Sequence, residues 1–594
     1  VLEKNSDNSA TSSTDNKVDS PLPGESNKPT PSSGTQSPSA SPNPNSSAQP
    51  QPTAVSEDDA KSFLDRGLQL YILFNLPSVK EAIDNFNKAT VSQTSSFNTA
   101  LSAKAEAQAY YAFLLKNSYQ EHNPVLTQAQ ETINKAAELS IDTPEIHRAK
   151  GIVALVNGKF DESNAELDKV LSQKSDDSVA KFLKSKIFRV QKKFDDAINF
   201  LKQVVNSDLN SAYLVNERGE VYFEQKLYDY ALTDFKTAVK LNINYPDPRS
   251  NLAYTYIKQH KTDDGLLALA YDEALKATQL RPDYSVGHNA LGLVNLYKDK
   301  ISEASLAFKK AITLNPNYAE AHSNLSFANI KLNKTDEAIT EAKTAISFNP
   351  NMEFAHLSLG IGYDNKSEPD KAIEEFKACI SLNKDSLEAY INLAKIYDKQ
   401  KNYKESIAQY AEIIRLDKTS HLYYFNQANA YDHNGDKQEA IDGYLKSISL
   451  NKDYFQSHAN LAFLYKEQGK FSEAITEYNE ALRITPSNTI ALFYLAYCYN
   501  LNGRTQDAID TYKKATGANN NFFDAHYNLG ALYLEKKSYD YAGSEFVEAA
   551  RINSTSSQSY LYVGYSYLRL VRTEENLSAA VTNFQKAINI RSNY

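Results

Sequence analysis

Ten histidines are the side chains of this sequence most suited to binding a metal ion or moving protons near neutral pH. Five of them are separated by multiples of 34 residues: His288, His322, His356, His458 and His526. A zinc site of the HExxH kind needs two histidines on one helix face, and the sequence has no such motif or pair. Residues that recur at a fixed spacing are typical of packing positions. We therefore interpret the five histidines as packing residues and predict no metal site.

Two Gly-Lys pairs, Gly158-Lys159 and Gly469-Lys470, match part of a phosphate-binding loop. Neither has a glycine five residues earlier or a serine or threonine after the lysine, and such a loop requires both. We interpret them as turns between helices, because glycine tolerates the left-handed conformation of a helix end. The sequence also has no GxSxG motif. We expect no catalytic residue and no cofactor, and we predict that the chain is not an enzyme.

The spacing of 34 residues extends through most of the chain. A small residue returns at this interval in eight successive repeats: Ala304, Ala338, Ala372, Ser406, Ala440, Ala474, Ala508 and Ala542. In the repeat 455–488, apolar residues follow helical periodicity in two segments on either side of the Gly469-Lys470 turn. One helical hairpin cannot bury its apolar face alone. A fixed period of this length therefore predicts a solenoid of stacked hairpins.

This pattern resembles the tetratricopeptide repeat. With residue 455 as position 1, the likeness rests on a small residue at position 8, alanine at 20, an aromatic residue at 24 and alanine at 27. Four repeats also have proline at position 32: Pro282, Pro316, Pro350 and Pro486. The sequence departs from the family at position 4, where tryptophan is frequent and this chain has none. The resemblance implies an all-α fold, an α-solenoid of helix-turn-helix hairpins that form a right-handed superhelix.

Three segments differ in composition and regularity. Residues 1–56 are rich in serine, proline and asparagine and have no aromatic residue, so we predict a disordered tether. Ser56 and the three acidic residues after it indicate the first helix start. Residues 57–143 are predicted to form degenerate hairpins, and residues 144–594 to form about thirteen repeats. Insertions lie near Lys261–Leu267 and Val571–Asn576.

Charge and hydropathy exclude several kinds of partner. The net charge is −9, so nothing indicates a nucleic-acid partner. No apolar run approaches the roughly 20 residues needed to span a bilayer. The sequence starts with Val1 rather than methionine. A processed N-terminus followed by a tether is a frequent envelope arrangement, so we slightly prefer the cell envelope or extracellular space over the cytoplasm.

The resemblance also places a candidate binding surface. In this family the first helix of each hairpin lines a concave groove, which positions 2, 5, 6, 9 and 12 face. Position 6 holds asparagine in six repeats: Asn251, Asn324, Asn392, Asn426, Asn460 and Asn528. A row of amides can bond the backbone of an extended peptide irrespective of its side chains. The alternative interpretation is that these asparagines bond a neighbouring helix and fix the repeat geometry.

Aromatic side chains occupy positions 5 and 9 toward the C-terminus: Phe425, Phe463, Phe493, Tyr497, Tyr527 and Tyr565. Rigid aromatic side chains favour recognition, because they supply contact area at a low entropy cost. The alternative is that some of them turn into the core between repeats. Together the two rows make residues 392–565 the best candidate for the groove.

These observations predict a protein-interaction scaffold that binds an extended peptide segment or a partner protein in its groove. One alternative is a structural protein that self-assembles into a filament or surface layer, with self-association through the C-terminal end. Another is the targeting arm of a larger glycosyltransferase-like assembly, which requires a catalytic domain outside these residues.

Overall fold

The computed structural model describes residues 55–117, 120–207, 209–260 and 264–591. The tether predicted for residues 1–56 therefore lies outside the described residues, except for Val55 and Ser56. All regular elements of the described part are α-helices. The chain divides into two compact units, Val1–Pro350 and Asn351–Tyr594, called here the N-terminal unit and the C-terminal unit.

The helices of the N-terminal unit are α1 (Glu57–Tyr71), α2 (Leu76–Ala89), α3 (Phe97–Asn117), α4 (Asn123–Glu138), α5 (Pro144–Val156), α6 (Phe160–Gln173), α7 (Ser178–Val190), α8 (Phe194–Val204), α9 (Ser211–Glu224), α10 (Tyr228–Leu241), α11 (Pro246–Gln259), α12 (Asp264–Leu280), α13 (Ser285–Tyr297), α14 (Ile301–Leu314), α15 (Ala319–Lys331) and α16 (Thr335–Phe348). Those of the C-terminal unit are α17 (Glu353–Asn365), α18 (Pro369–Leu382), α19 (Leu387–Lys399), α20 (Tyr403–Leu416), α21 (His421–Asn434), α22 (Lys437–Leu450), α23 (Phe455–Glu467), α24 (Phe471–Ile484), α25 (Thr489–Leu501), α26 (Thr505–Ala518), α27 (Phe523–Glu535), α28 (Tyr539–Ile552), α29 (Ser557–Arg569) and α30 (Glu574–Arg591).

Consecutive helices pair as hairpins, from α1 with α2 to α29 with α30. Within each unit the second helix of one hairpin also packs against the first helix of the next, so that the hairpins stack. This arrangement confirms the predicted all-α solenoid of helix-turn-helix hairpins. The right-handed superhelix stays a prediction. Residues 57–143 contain two hairpins, and α5–α30 contain thirteen.

The turns follow the local signals of the sequence. Ser56 caps α1, and its side chain accepts a hydrogen bond from the backbone N–H of Asp59. Gly158 and Gly469 end their helices in the left-handed region, with φ of 75° and 72°, so both are turns between helices. The two insertions lengthen the second helix of their hairpins, because α12 has 17 residues and α30 has 18, whereas α14 has 14.

Two kinds of hairpin differ at positions 8 and 24. In the phenylalanine type, position 8 is glycine: Gly219 with Phe235, Gly292 with Phe308, Gly360 with Phe376, and Gly530 with Phe546. In the tyrosine type, position 8 is alanine: Ala394 with Tyr410, Ala428 with Tyr444, Ala462 with Tyr478, and Ala496 with Tyr512. A Cβ on Gly360 would lie only 2.6 Å from Cε1 of Phe376. The phenylalanine ring therefore occupies the space that a side chain at position 8 would need.

Candidate functional site

The histidines at position 4 pair with a glutamate at position 23 of the same hairpin. Their Nδ1 atoms lie 2.5–2.6 Å from a carboxylate oxygen in four pairs: His322 with Glu341, His356 with Glu375, His458 with Glu477, and His526 with Glu545. In His322, His458 and His526 the Nε2 atom also lies 2.9–3.2 Å from a backbone carbonyl oxygen. Both ring nitrogens then face acceptors, and this favours the doubly protonated imidazolium.

Two of these histidines show the electrostatic consequence. Burial lowers the pKa of His322 and His458, but the bonds with Glu341 and Glu477 and with backbone carbonyls outweigh it, so both pKa values are raised above 6.5. The sequence analysis missed this ion pair, although a glutamate 19 residues after the histidine was its signal. In the described part of the chain, no group of three or more histidine, cysteine, aspartate or glutamate side chains is arranged to hold a metal ion.

The asparagines at position 6 differ in what their amides bond. Four donate from Nδ2 to the preceding hairpin: Asn251 to Asn216 Oδ1 at 3.0 Å, Asn324 to Asn289 Oδ1 at 3.0 Å, Asn460 to Asn429 Oδ1 at 3.0 Å, and Asn528 to the Tyr512 hydroxyl at 3.4 Å. Asn392 donates to the Glu388 carbonyl of its own helix at 2.8 Å. Asn426 makes no side-chain hydrogen bond with any described residue. Four amides therefore tie hairpins together, and peptide binding by this row stays a prediction.

In the tyrosine-type hairpins, the hydroxyl at position 24 depends on the residue 16 positions later. Tyr444 accepts from Asn460 Nδ2 at 3.3 Å and donates to Asn429 Oδ1 at 2.6 Å. At the equivalent place after Tyr478 the residue is Tyr494, whose ring stacks at 6.2 Å and 15°. The Tyr478 hydroxyl is buried and has no hydrogen-bond partner among the described residues. This pairing could have been found from the 16-residue spacing.

The structure separates the aromatic residues of positions 5 and 9. The position 5 rings are half-buried and pack on the position 24 ring of their own hairpin: Phe425 on Tyr444 at 5.9 Å, Phe493 on Tyr512 at 5.7 Å, and Tyr527 on Phe546 at 5.5 Å. The position 9 rings are exposed, at 37% for Phe463, 38% for Tyr497 and 41% for Tyr565. Only the position 9 residues therefore present free aromatic surface, and they are called here the aromatic row.

Phe463 lies within a cluster formed by α23 and α25. Lys466 places Nζ 4.2 Å from the centroid of the Phe463 ring and 5.0 Å from that of Tyr494. The rings of Phe463 and Tyr494 meet edge to face at 5.6 Å. Asn460 lies about one turn before Phe463 on the same helix. This surface therefore combines aromatic faces, an amide and one cation held by cation–π contacts.

The first helices of the N-terminal unit face a segment of the same chain. The turn between α1 and α2 places Phe74, which is fully buried, against rings of three later helices. Its centroid lies 5.5 Å from that of Tyr110, 5.0 Å from Phe182 and 5.6 Å from Tyr213. Asn210 also donates from Nδ2 to the Leu73 carbonyl at 3.4 Å. The α1–α2 turn therefore fills the surface that α3, α7 and α9 would otherwise expose.

A buried ionic network adjoins this turn. Arg148 donates from Nε and Nη2 to both carboxylate oxygens of Glu106, at 2.8 and 2.9 Å, and from Nη1 to Asp177 at 3.0 Å. Burial raises the pKa of the Glu106 carboxyl, and Arg148 opposes that rise. Lys186 forms a further buried ion pair with Glu217. Charged groups of the first helices here satisfy one another rather than face solvent.

Among the described residues, every helix is too short or too polar to cross a bilayer. Profiles of the tetratricopeptide repeat match four segments of the chain: residues 307–340, 366–425, 422–454 and 460–522. No curated protein matches the chain.

Three solved structures illustrate its likeness to known folds. The crystal structure of MamA protein is 25% identical, covers 28% of this chain and 91% of its own, and has a TM-score of 0.27. The APC/C hetero-tetramer Cut9–Hcn1 is 14% identical over 78% of this chain and 96% of its own, with a TM-score of 0.35. The human IFIT1 dimer with m7Gppp-AAAA is 16% identical over 64% of this chain and 91% of its own, with a TM-score of 0.40.

Proposed function

Because the chain is a tetratricopeptide-repeat protein, we propose that it is a protein-interaction scaffold that holds an extended peptide against the first helices of its C-terminal unit. The observation that carries this proposal is the aromatic row, Phe463, Tyr497 and Tyr565, which is exposed at one position of three hairpins. Exposed rings at a binding surface supply contact area at a low entropy cost. The peptide would gain affinity from several such contacts along the array.

The N-terminal unit offers less support for such a surface. Its side chains at positions 5, 9 and 6 include Arg148, Lys186 and Glu217, and all three are buried in ion pairs. The α1–α2 turn also covers the neighbouring first helices through Phe74. A peptide would have to displace these contacts before it could bind there. The open face of the C-terminal unit needs no such displacement.

The first helices of the C-terminal unit form a continuous layer. Phe463 of α23 contacts Tyr494 of α25, and Tyr527 of α27 contacts Tyr562 of α29 at 6.0 Å. A peptide crossing this layer would meet one side chain of the aromatic row and one position 6 amide per hairpin. Asn426, Asn460 and Asn528 accept no hydrogen bond at Oδ1 from any described residue. We infer that these oxygens accept from backbone N–H groups of the peptide.

The experiment starts from a display library of random 12-residue peptides, selected on the full chain. The double variant Phe463→Ala/Tyr497→Ala should bind the selected peptides at least about tenfold more weakly, because two contact rings are lost. The control is Tyr541→Ala, which removes an equally exposed ring from a second helix. Selected peptides that bind the double variant as well as the wild type would contradict the proposal.

The amides need a separate test, because four of them also hold hairpins together. Asn426→Ala removes the amide that no described residue uses, so it should weaken peptide binding without a loss of stability. Asn324→Ala removes the hydrogen bond to Asn289 and serves as the structural comparison. It should lower stability by about 0.5–1.5 kcal/mol and leave peptide binding in the C-terminal unit unchanged. Equal peptide affinity for Asn426→Ala and wild type would limit recognition to the aromatic row.

Self-assembly is the second candidate function, and one observation favours it. On α30, Val581 at position 21 is 67% exposed, whereas Ile475 and Ile509 at the same position are buried by the next hairpin. An uncovered apolar face of this kind is suited to a second copy. Sedimentation velocity over a concentration series would test it, with Val581→Lys as the variant. A wild-type chain that stays monomeric at high concentration would contradict self-assembly.

A further inference from the structure

The hairpin α27–α28 departs from its neighbours on the surface that meets the next hairpin. Position 21 is isoleucine in six successive earlier repeats: Ile339, Ile373, Ile407, Ile441, Ile475 and Ile509. In α28 this residue is Gly543. Of the described residues outside its own helix backbone and chain neighbours, only Ser566, through Cβ at 3.4 Å, lies within 4 Å of where a Gly543 Cβ would be. The isoleucine that fills this interface elsewhere is therefore missing here.

The residue that faces this position across the interface is also reduced. Position 10 is the buried Leu464 in α23 and the buried Leu532 in α27, but it is Ser566 in α29. Both sides of this one interface have therefore lost apolar volume. A pocket of about 320 Å³ lies here between α28 and α29, near the lower end of the size range of small-molecule sites.

Ser566 supplies an observation independent of the pocket volume. It lines the pocket and is fully buried, and its Oγ atom has no hydrogen-bond partner among the described residues. An unpaired buried hydroxyl is unfavourable. Packing at position 10 does not require a hydroxyl, since Ala328 and Ala430 are buried there in other hairpins. A ligand atom within hydrogen-bonding distance would satisfy Ser566.

The charges of the lining residues indicate the chemistry of that ligand. Asp540 and Glu548 contribute carboxylates, and no lysine or arginine lines the pocket. Glu548 already pairs with Arg551 Nε at 2.6 Å, whereas Asp540 is exposed and enters no ion pair of the described part of the chain. Val547 and Leu570 add apolar surface. A cationic group with N–H donors on a short apolar chain fits this combination.

We propose that the pocket between α28 and α29 binds an alkylammonium group, which donates to Asp540 and Ser566 and lays its alkyl chain against Val547 and Leu570. A free primary amine and the lysine side chain of a partner protein share this chemistry. The site is separate from the aromatic row, because α28 is a second helix. The proposal therefore does not depend on peptide binding by the first helices.

Isothermal titration calorimetry of the full chain tests it with three probes: n-butylammonium chloride, n-butanol as the neutral counterpart, and the peptide acetyl-Gly-Lys-Gly-amide. The wild type should bind the ammonium saturably and should not bind the alcohol. Asp540→Asn should weaken binding about tenfold, because a charged hydrogen bond is lost, and Ser566→Ala should weaken it several-fold. Gly543→Ala should weaken it further, because its methyl group projects into the pocket.

Gly517→Ala is the matched control for the glycine substitution. Gly517 is also helical and has open space around the place of a Cβ, but it does not line the pocket. It should gain the same helix stability as Gly543→Ala and bind butylammonium as the wild type does. Tighter binding of the lysine peptide than of butylammonium would support a partner protein as the source, and the reverse would support a free amine. Absence of saturable binding for both probes, or unchanged binding by Gly543→Ala and Asp540→Asn, would overturn the proposal.

Discussion

The unpaired hydroxyl of Tyr478 makes an unusual prediction, because removal of a polar group there should stabilise the protein. Tyr478 is 2% exposed and its hydroxyl has no hydrogen-bond partner among the described residues. In Tyr478→Phe the ring keeps its packing and the buried hydroxyl is gone. Recovery of the desolvation penalty of that hydroxyl, which is about 1–3 kcal/mol, should raise the local stability by about 1 kcal/mol after the lost contacts are counted.

Tyr444→Phe is the matched substitution, with the opposite expectation. Tyr444 is equally buried, but its hydroxyl donates to Asn429 at 2.6 Å and accepts from Asn460 at 3.3 Å. Loss of these bonds should cost about 0.5–1.5 kcal/mol. The two variants should therefore differ by about 2 kcal/mol, which is roughly thirtyfold in the equilibrium constant for local opening.

Amide hydrogen exchange followed by mass spectrometry is the appropriate assay, because hairpins of a repeat array open locally as well as globally. Tyr478→Phe should slow exchange in peptides from α24 and α25. Tyr444→Phe should speed it in peptides from α22 and α23. Faster exchange in both variants would refute the argument, since it would mean that the Tyr478 hydroxyl makes a favourable interaction in the folded chain.

Three further substitutions test the packing, the ion pairs and the buried network. Gly360→Ala should lower the urea midpoint, because the 2.6 Å approach to the phenylalanine ring costs about 1–3 kcal/mol and exceeds the helix gain of about 1 kcal/mol, whereas Gly530→Ala, with 3.1 Å, should cost less. The pKa of His458 is raised on folding, so its contribution to stability is complete below about pH 6.5 and is lost as the pH rises through the folded-state pKa. His458→Gln should remove that part of the pH dependence of Tm, and an unchanged profile would contradict the ion pair. Arg148→Met leaves the Glu106 carboxylate buried without its partner and should cost about 3–5 kcal/mol by urea unfolding, with partial recovery when Glu106→Gln is added.

The sequence predicted the fold correctly because the repeat carries its own packing rules. Small residues at positions 8 and 20 and an aromatic residue at 24 return often enough to determine the hairpin and its register. The turns at Gly158 and Gly469 could also be predicted, because the left-handed conformation has a local residue preference. These features depend on neighbours within one hairpin.

The candidate site was predicted only in part, because its details depend on adjacent hairpins. Asn460 and Asn392 look equivalent in the sequence, yet one bonds the preceding hairpin and the other its own helix. The difference follows from the previous repeat, where the residue at position 9 is Asn429 before Asn460 but Ile361 before Asn392. Spacing alone likewise does not separate Phe493, which packs inward, from Tyr497, which is exposed.

The contact of the α1–α2 turn had no local signal at all. Leu73 and Asn210 are 137 residues apart, and the turn belongs to a hairpin without the regular pattern. By contrast, the pocket beside Gly543 does leave a trace in the sequence. A glycine in place of isoleucine and a serine in place of leucine, at two positions that face each other, become visible once the repeats are aligned with one another.

The two kinds of hairpin have a consequence for how such an array is built and edited. In the phenylalanine type, the ring and its glycine lie within one hairpin, so a gene duplication or deletion carries the matched pair as a single cassette. In the tyrosine type, Tyr444 and Tyr512 take a hydrogen bond from the hairpin that follows. Recombination directly after either of them joins that hydroxyl to a new successor. Such a junction preserves the bond only when the incoming cassette brings an asparagine at position 6.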